Sequence, residues 1–165
     1  MRDSKLKLVR FLVKHFKSIE EIRMDIGDFN IIVGKNNVGK STILDSIEIF
    51  LRELKTEGDP LDDHVWPRGI LDNRLIEFEA LFKIDRNDIR ENVSHWQQID
   101  HINSRGFMIV KVQRTINSNK QWSKPVISFS SPISGRLPSE QKNLMKEQIL
   151  SKIRNLLPIP KRIDV

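Results

Sequence analysis

The chain has 165 residues, 38% hydrophobic and 30% charged, with no cysteine; that is the composition of one globular domain, and it excludes disulfides, thiolate metal sites and a cysteine nucleophile. The net charge of +6 is uneven: residues 1–99 hold 16 basic and 18 acidic side chains and residues 100–165 hold 12 and 4, or −2 against +8. The longest apolar run, 107–110, falls far short of the roughly 20 residues of a membrane helix, and residues 1–17 lack the apolar stretch of a secretory signal, so a cytoplasmic protein without membrane contact is expected.

Residues 5–13 (KLKLVRFLV) and 29–33 (FNIIV) have the β-branched and aromatic content of strands, with a turn around Gly27 and Asp28. The second reads as the more buried of the two. From Lys40, apolar residues recur at Ile43, Leu44, Ile47, Phe50, Leu51 and Leu54, spacings of three and four that predict a helix ending before Gly58. Residues 58–74 are rich in Pro, Gly, Asp and Asn and read as a loop. Ile76, Phe78, Ala80, Phe82 and Ile84 then alternate with Glu77, Glu79, Leu81 and Lys83, the period of a half-buried strand. Residues 107–116 and 126–130 look like its antiparallel partners, with a short helix around 89–96 between. A last helix is predicted over 139–157, with Leu144, Met145, Ile149, Ile153 and Leu156 inward and Pro158 as its stop. No internal repeat is found.

The chemistry is concentrated in Gly34-Lys35-Asn36-Asn37-Val38-Gly39-Lys40-Ser41, which matches G-x-x-x-x-G-K-[ST] between a predicted strand and a predicted helix. A loop that aims backbone N–H groups at a polyphosphate must pass through positive φ and approach the ligand closely; glycine permits both. Gly34 is expected to turn the chain off the strand, Gly39 to leave room for phosphate oxygens, and Asn37 to tolerate a left-handed conformation. The helix start adds its dipole and unpaired N–H groups. Lys40 is expected to reach the β- and γ-phosphates, Ser41 to ligate Mg²⁺, and Thr42 to offer a hydroxyl near the α-phosphate. A chance match in a chain this long has a frequency of roughly 1%. Other candidates are weaker: Asp62-Asp63-His64 reads as a surface loop, His95 and His101 lack metal-ligand spacing, and Trp66, Trp96 and Trp122 are too scattered for a base-stacking platform.

The stretch from Leu8 to Leu51 resembles the N-terminus of ABC-class ATPases of the RecF, SMC and OLD groups. The resemblance is carried by His15-Phe16-Lys17-Ser18-Ile19, then Ile26-Gly27-Asp28-Phe29-Asn30-Ile31-Ile32-Val33 and the loop ending in Lys40-Ser41-Thr42. It implies an α/β P-loop NTPase fold, an AAA-type ATP-binding domain with a parallel core sheet and an antiparallel β subdomain. It divides 1–165 into the core strands, loop and helix at 1–57, a loop at 58–74, the β subdomain at 75–130, a helix at 139–157 and the start of a further strand at 158–165. It also implies ATP and Mg²⁺ as ligands, with Gly34, Asn36, Asn37, Val38, Gly39, Lys40, Ser41, Thr42 and Lys17 around the nucleotide and Ser41 on the metal. Gln97, Gln98 and Gln113 are candidates for the Q-loop glutamine.

Two elements of these families are not found in the sequence: an apolar strand ending in Asp-Glu, which holds Mg²⁺ and orients water, and an LSGGQ-like signature. Ile133-Ser134-Gly135-Arg136 imitates the latter but lacks its second glycine. The chain is therefore expected to be an incomplete ATPase lobe that binds Mg·ATP and hydrolyses it only when completed. Expected partners are a second copy across the ATPase face, DNA, and a nuclease domain or subunit, in repair or anti-phage defence. The rival reading is a non-catalytic nucleic-acid-binding module using the basic 100–165 segment. A small P-loop kinase or GTPase lacks support, because no N-K-x-D base-reading motif and no lid pattern are found.

Overall fold

The computed structural model describes residues 6–35, 39–56, 75–84, 107–115 and 121–129, with 147, 150, 151 and 154 of a C-terminal helix. Strands β1 (Leu6–Phe16), β2 (Ile19–Asp25), β3 (Leu75–Ile84), β4 (Phe107–Thr115) and β5 (Val126–Phe129) form one sheet in the order β2-β1-β3-β4-β5. Helix α1 (Lys40–Thr56) follows β2 in sequence. None of the described helices is long and apolar enough to cross a membrane.

The alternation in β3 and β4 places Ile76, Phe78, Ala80 and Phe82 of one strand beside Met108, Val110 and Val112 of the other on a single face, all 1% exposed or less. Ile49, Phe50, Leu51 and Leu54 of α1 are buried in the same core, which also takes in Ile127 of β5 and Leu150. Five phenylalanines form its centre: Phe50 lies edge-on to Phe11 at 5.5 Å and stacks with Phe82 at 6.3 Å, and Phe78 sits between Phe11 and Phe16. The predicted helix stripe is correct at Phe50, Leu51 and Leu54, whereas Leu44 is 58% exposed and Ile49, outside the stripe, is buried. Among the four described residues of the C-terminal helix the buried side chain is Leu150, again outside the predicted stripe. The residues chosen for that stripe, like the predicted 89–96 helix, the loop 58–74 and the segment 158–165, lie outside the described side chains.

β1 reaches the core with an irregular spacing. A bulge between Leu8 and Arg10 in its pairing with β3 brings Leu8 and Phe11 to the same face. At its other end His15 has φ 53°, so Phe16, instead of His15, turns inward and is fully buried. A left-handed non-glycine residue costs about 1–2 kcal/mol; burying a phenylalanine returns about 1.5–3 kcal/mol. His15 settles beside the sheet, its Nδ1–H donating to the Leu75 carbonyl at 3.1 Å.

One buried and one half-buried polar contact hold α1. Glu53 on α1 and Arg114 at the end of the inward-facing row of β4 form an ion pair at 3.0 Å, their side chains 1% and 2% exposed. Arg114 Nε also donates to the Ser123 carbonyl at 2.9 Å. Near the end of α1, where carbonyls lack helical partners, Arg154 donates to the Leu54 carbonyl at 2.7 Å.

The expected parallel core sheet finds no strand among the described residues, where every pairing is antiparallel. Residues 29–33, read as its buried strand, are unpaired: Phe29 is 81%, Ile31 71% and Val33 83% exposed. The reason lies in the chain path. β1 already has β2 and β3 on its two sides. After Ile26, whose N–H donates to the Val9 carbonyl, the Asn30 side chain bonds both the N–H and the carbonyl of Gly27. This turn, with the ion pair from Lys7 to Asp28, ends the pairing with β1, and 31–35 form no strand. β2, missed in the sequence because its residues are mostly charged, is an edge strand whose Ile22 and Met24 face the core.

Candidate functional site

The loop that follows 29–33 is described at both ends. Gly34 and Lys35 stand on one side, Gly39 and Lys40 on the other; Asn36, Asn37 and Val38 lie outside the described residues. The two ends are tied by the Lys40 ammonium, which donates to the Gly34 carbonyl at 2.7 Å and the Lys35 carbonyl at 2.6 Å. An ammonium has three donors, and among the described residues two of them are engaged, both by carbonyls at the first end of the loop.

Gly39 has φ +94°, a conformation that side-chained residues rarely adopt, and a Cβ placed there would meet nothing within 4 Å. Among the described residues of the loop the left-handed position is Gly39. Open space over Gly39 is what a close-approaching ligand requires. The Gly39 carbonyl accepts the first bond of α1 from the Ile43 N–H at 3.1 Å, so the N–H groups of Lys40, Ser41 and Thr42 begin the helix without intrahelical partners. No acidic side chain occupies that first turn, so its partial positive charge is not offset from within the turn. Ser41 is exposed on this turn and Thr42 half-buried. The Ser41 hydroxyl is a hard oxygen donor of the kind that would suit Mg²⁺.

Lys17 is placed beside the helix that carries the loop. It occupies the turn between β1 and β2 with φ 50°, its ammonium 5.6 Å from the centroid of the Phe16 ring and 2.6 Å from Asp45 Oδ2 on α1. Asp45, which the sequence reading passed over, lies four residues after Ser41 and so on the same helical face. Its signal was present as a carboxylate one turn past the serine, but no local pattern names its partner.

Of the glutamine candidates, Gln113 is excluded by position: it stands on the sheet face opposite α1 and donates to Glu77 Oε2 at 2.7 Å. Gln97 and Gln98 lie outside the described residues, as do Asp62, Asp63, His64, His95, His101, Trp66, Trp96 and the 133–136 imitation. Trp122 is half-buried against the core. That opposite face carries a ladder of alternating charge, with Lys14 between Glu21 and Glu77 at 3.6 and 3.9 Å, and Lys111 between Glu77 and Glu79 at 3.4 and 3.3 Å. Burial opposes the Lys111 ammonium, but Glu77 and Glu79 outweigh it and hold its pKa above the ordinary lysine value. Among the described basic residues beyond 100, Lys111, Arg114 and Arg154 are engaged within the fold, while Lys124 is exposed. The basic segment therefore offers little free charge to a nucleic acid over its described part.

The sequence model of a family described as AAA ATPase domain matches residues 6–155. An uncharacterized protein of Methanocaldococcus jannaschii, MJECL10, is 45% identical over 40 residues, covering 24% of this chain and 18% of that protein. The match therefore spans less than a fifth of the relative's length.

Proposed function

The chain belongs to the AAA ATPase domain family, and on that premise we propose that it binds Mg·ATP in the loop 34–41, with Lys40 on the β- and γ-phosphates and Ser41 on the metal. The observation that carries this reading is the pose of Lys40, clamped to the carbonyls of Gly34 and Lys35 at the open, left-handed Gly39. Asn36, Asn37, Val38 and Thr42 complete the cradle by their place in the motif, and Lys17 stands at its side.

The finer assignment is to the OLD/RecF/SMC-like group, whose resemblance points to DNA repair or anti-phage defence, ATP-dependent dimerisation, and work with a nuclease. Exposure of Phe29, Ile31 and Val33 supports a second, parallel layer that pairs with 29–33 and covers them. With no Asp-Glu strand or signature sequence in the chain, hydrolysis awaits residues supplied by further sequence or by a partner. Isothermal titration of Mg·ATP into the wild type and Lys40→Ala tests the site: binding by the wild type and its loss in the variant are expected, and equal binding by both refutes it. Robust turnover by the chain alone would refute the incomplete-ATPase reading. If the basic segment binds DNA independently of ATP, that affinity falls steeply with salt and is the same in Lys40→Ala.

A further inference from the structure

α1 is anchored unevenly. Between Lys40 and Asp45 no side chain is buried; the buried face begins at Ser46 and runs to Leu54. The first turn and a half, which carry Lys40, Ser41 and Thr42, thus gain little from packing on the sheet. Among the described contacts, the β1–β2 turn reaches this part of the helix through the Lys17–Asp45 pair at 2.6 Å, with side chains 26% and 21% exposed.

That turn is strained. His15 and Lys17 are the described non-glycine residues with positive φ, and they flank Phe16, which is fully buried and lies edge-on to Phe78 at 5.7 Å. Strain of this kind persists only where surrounding structure fixes it, and it collects at functional sites. The conformation of His15 is accounted for by the burial of Phe16. The conformation of Lys17 has no such return in the core: its side chain ends at Asp45, on the helical face of Ser41. Side chains on a helix tilt toward its N-terminus, so the Asp45 carboxylate overlies the turn that holds Ser41.

We propose that Lys17 and Asp45 are positioning residues for the nucleotide site: the strained turn delivers the Lys17 ammonium to Asp45, and the pair fixes the first turns of α1 so that the helix N-terminus and Ser41 are presented in one orientation. The inference rests on the phosphate-loop reading but differs from a direct contact between Lys17 and nucleotide. In this arrangement Lys17 acts through Asp45.

The test separates positioning from stability by choosing an asparagine, which tolerates the left-handed backbone better than lysine but cannot make the ion pair. Lys17→Asn is expected to melt no lower than the wild type. It should nevertheless lose protection of the α1 amides 43–46 in hydrogen exchange and bind Mg·ATP more weakly, each on the order of fivefold, the upper range for a partly exposed ion pair. Asp45→Asn should do the same, the double variant should be no worse than either single one, and Lys17→Arg should restore both readouts. Unchanged exchange protection in Lys17→Asn overturns the proposal. So does tighter Mg·ATP binding in Asp45→Asn, which would mean that Lys17 touches the phosphates once released. Lys40→Ala distinguishes the underlying reading: undiminished Mg·ATP binding there refutes the phosphate loop, while loss of amide protection in Lys17→Asn would still place the pair on α1.

Discussion

Replacing Arg114 by methionine is the perturbation most directly read from this structure. The guanidinium is 2% exposed and its partner carboxylate on Glu53 1% exposed, at 3.0 Å. Methionine keeps the apolar length of the side chain but leaves the Glu53 charge buried without its cation and removes the donor to the Ser123 carbonyl. Breaking a buried pair from one side costs about 3–5 kcal/mol, a large part of the 5–15 kcal/mol that typically holds a domain together. For a chain of this size that corresponds to a fall of about 6–20 °C in melting temperature. Urea unfolding followed by far-ultraviolet circular dichroism gives the loss directly, provided the slope with denaturant is unchanged. The reasoning makes a second, opposite demand. In Glu53→Leu/Arg114→Met both charges are gone, and stability should return to within about 1 kcal/mol of the wild type, because a buried pair contributes little over well-packed apolar groups. A loss under about 1 kcal/mol in Arg114→Met, or a double variant as unstable as the single one, would refute the view that α1 is held to β4 by mutual neutralisation.

Two further outcomes are expected. Gly39→Ala forces a Cβ into the φ +94° position and should cost about 1–2 kcal/mol in stability, or about 2–8 °C, while titration shows Mg·ATP affinity falling, since the added methyl enters the space kept open over the loop. Thermal melts across pH should weaken at both extremes. The pKa of Lys111 is raised above 10.5 by Glu77 and Glu79 against the opposing effect of burial, so its contribution is complete below that value and lost as pH rises through the folded pKa; Lys111→Met should flatten the alkaline limb. The pKa of Asp28 is lowered below 3.8 by its hydrogen bond and charge contact with Lys7, so its contribution is present above that value and lost as pH falls through the folded pKa; Asp28→Asn should flatten the acid limb.

The phosphate loop, α1 and the strands β3, β4 and β5 were legible in the sequence because each is specified locally. A glycine–lysine–serine spacing is recognisable within eight residues, and a period of two or of about 3.6 selects strand or helix from neighbouring residues alone. The segment 29–33 shows the limit of that logic. Five residues suited to a buried strand become one only when another strand supplies its hydrogen bonds, and among the described residues none does. β2 is the converse: Ile19–Asp25 is too charged to read as a strand, but pairing with β1 makes it one.

The same division runs through the site. Local spacing was enough to mark the loop motif and the start of a helix at Lys40. Tertiary structure decided that a bulge before Arg10 and a left-handed His15 send Phe11 and Phe16 to the same core. It also paired Glu53 with Arg114, 61 residues apart, and Lys17 with Asp45, 28 residues apart. Periodicity reports which face of an element is apolar, whereas the choice of partner depends on register and on how a helix lies across a sheet. Those are fixed only when the chain is closed on itself, where burial removes the water that would otherwise satisfy each charge alone.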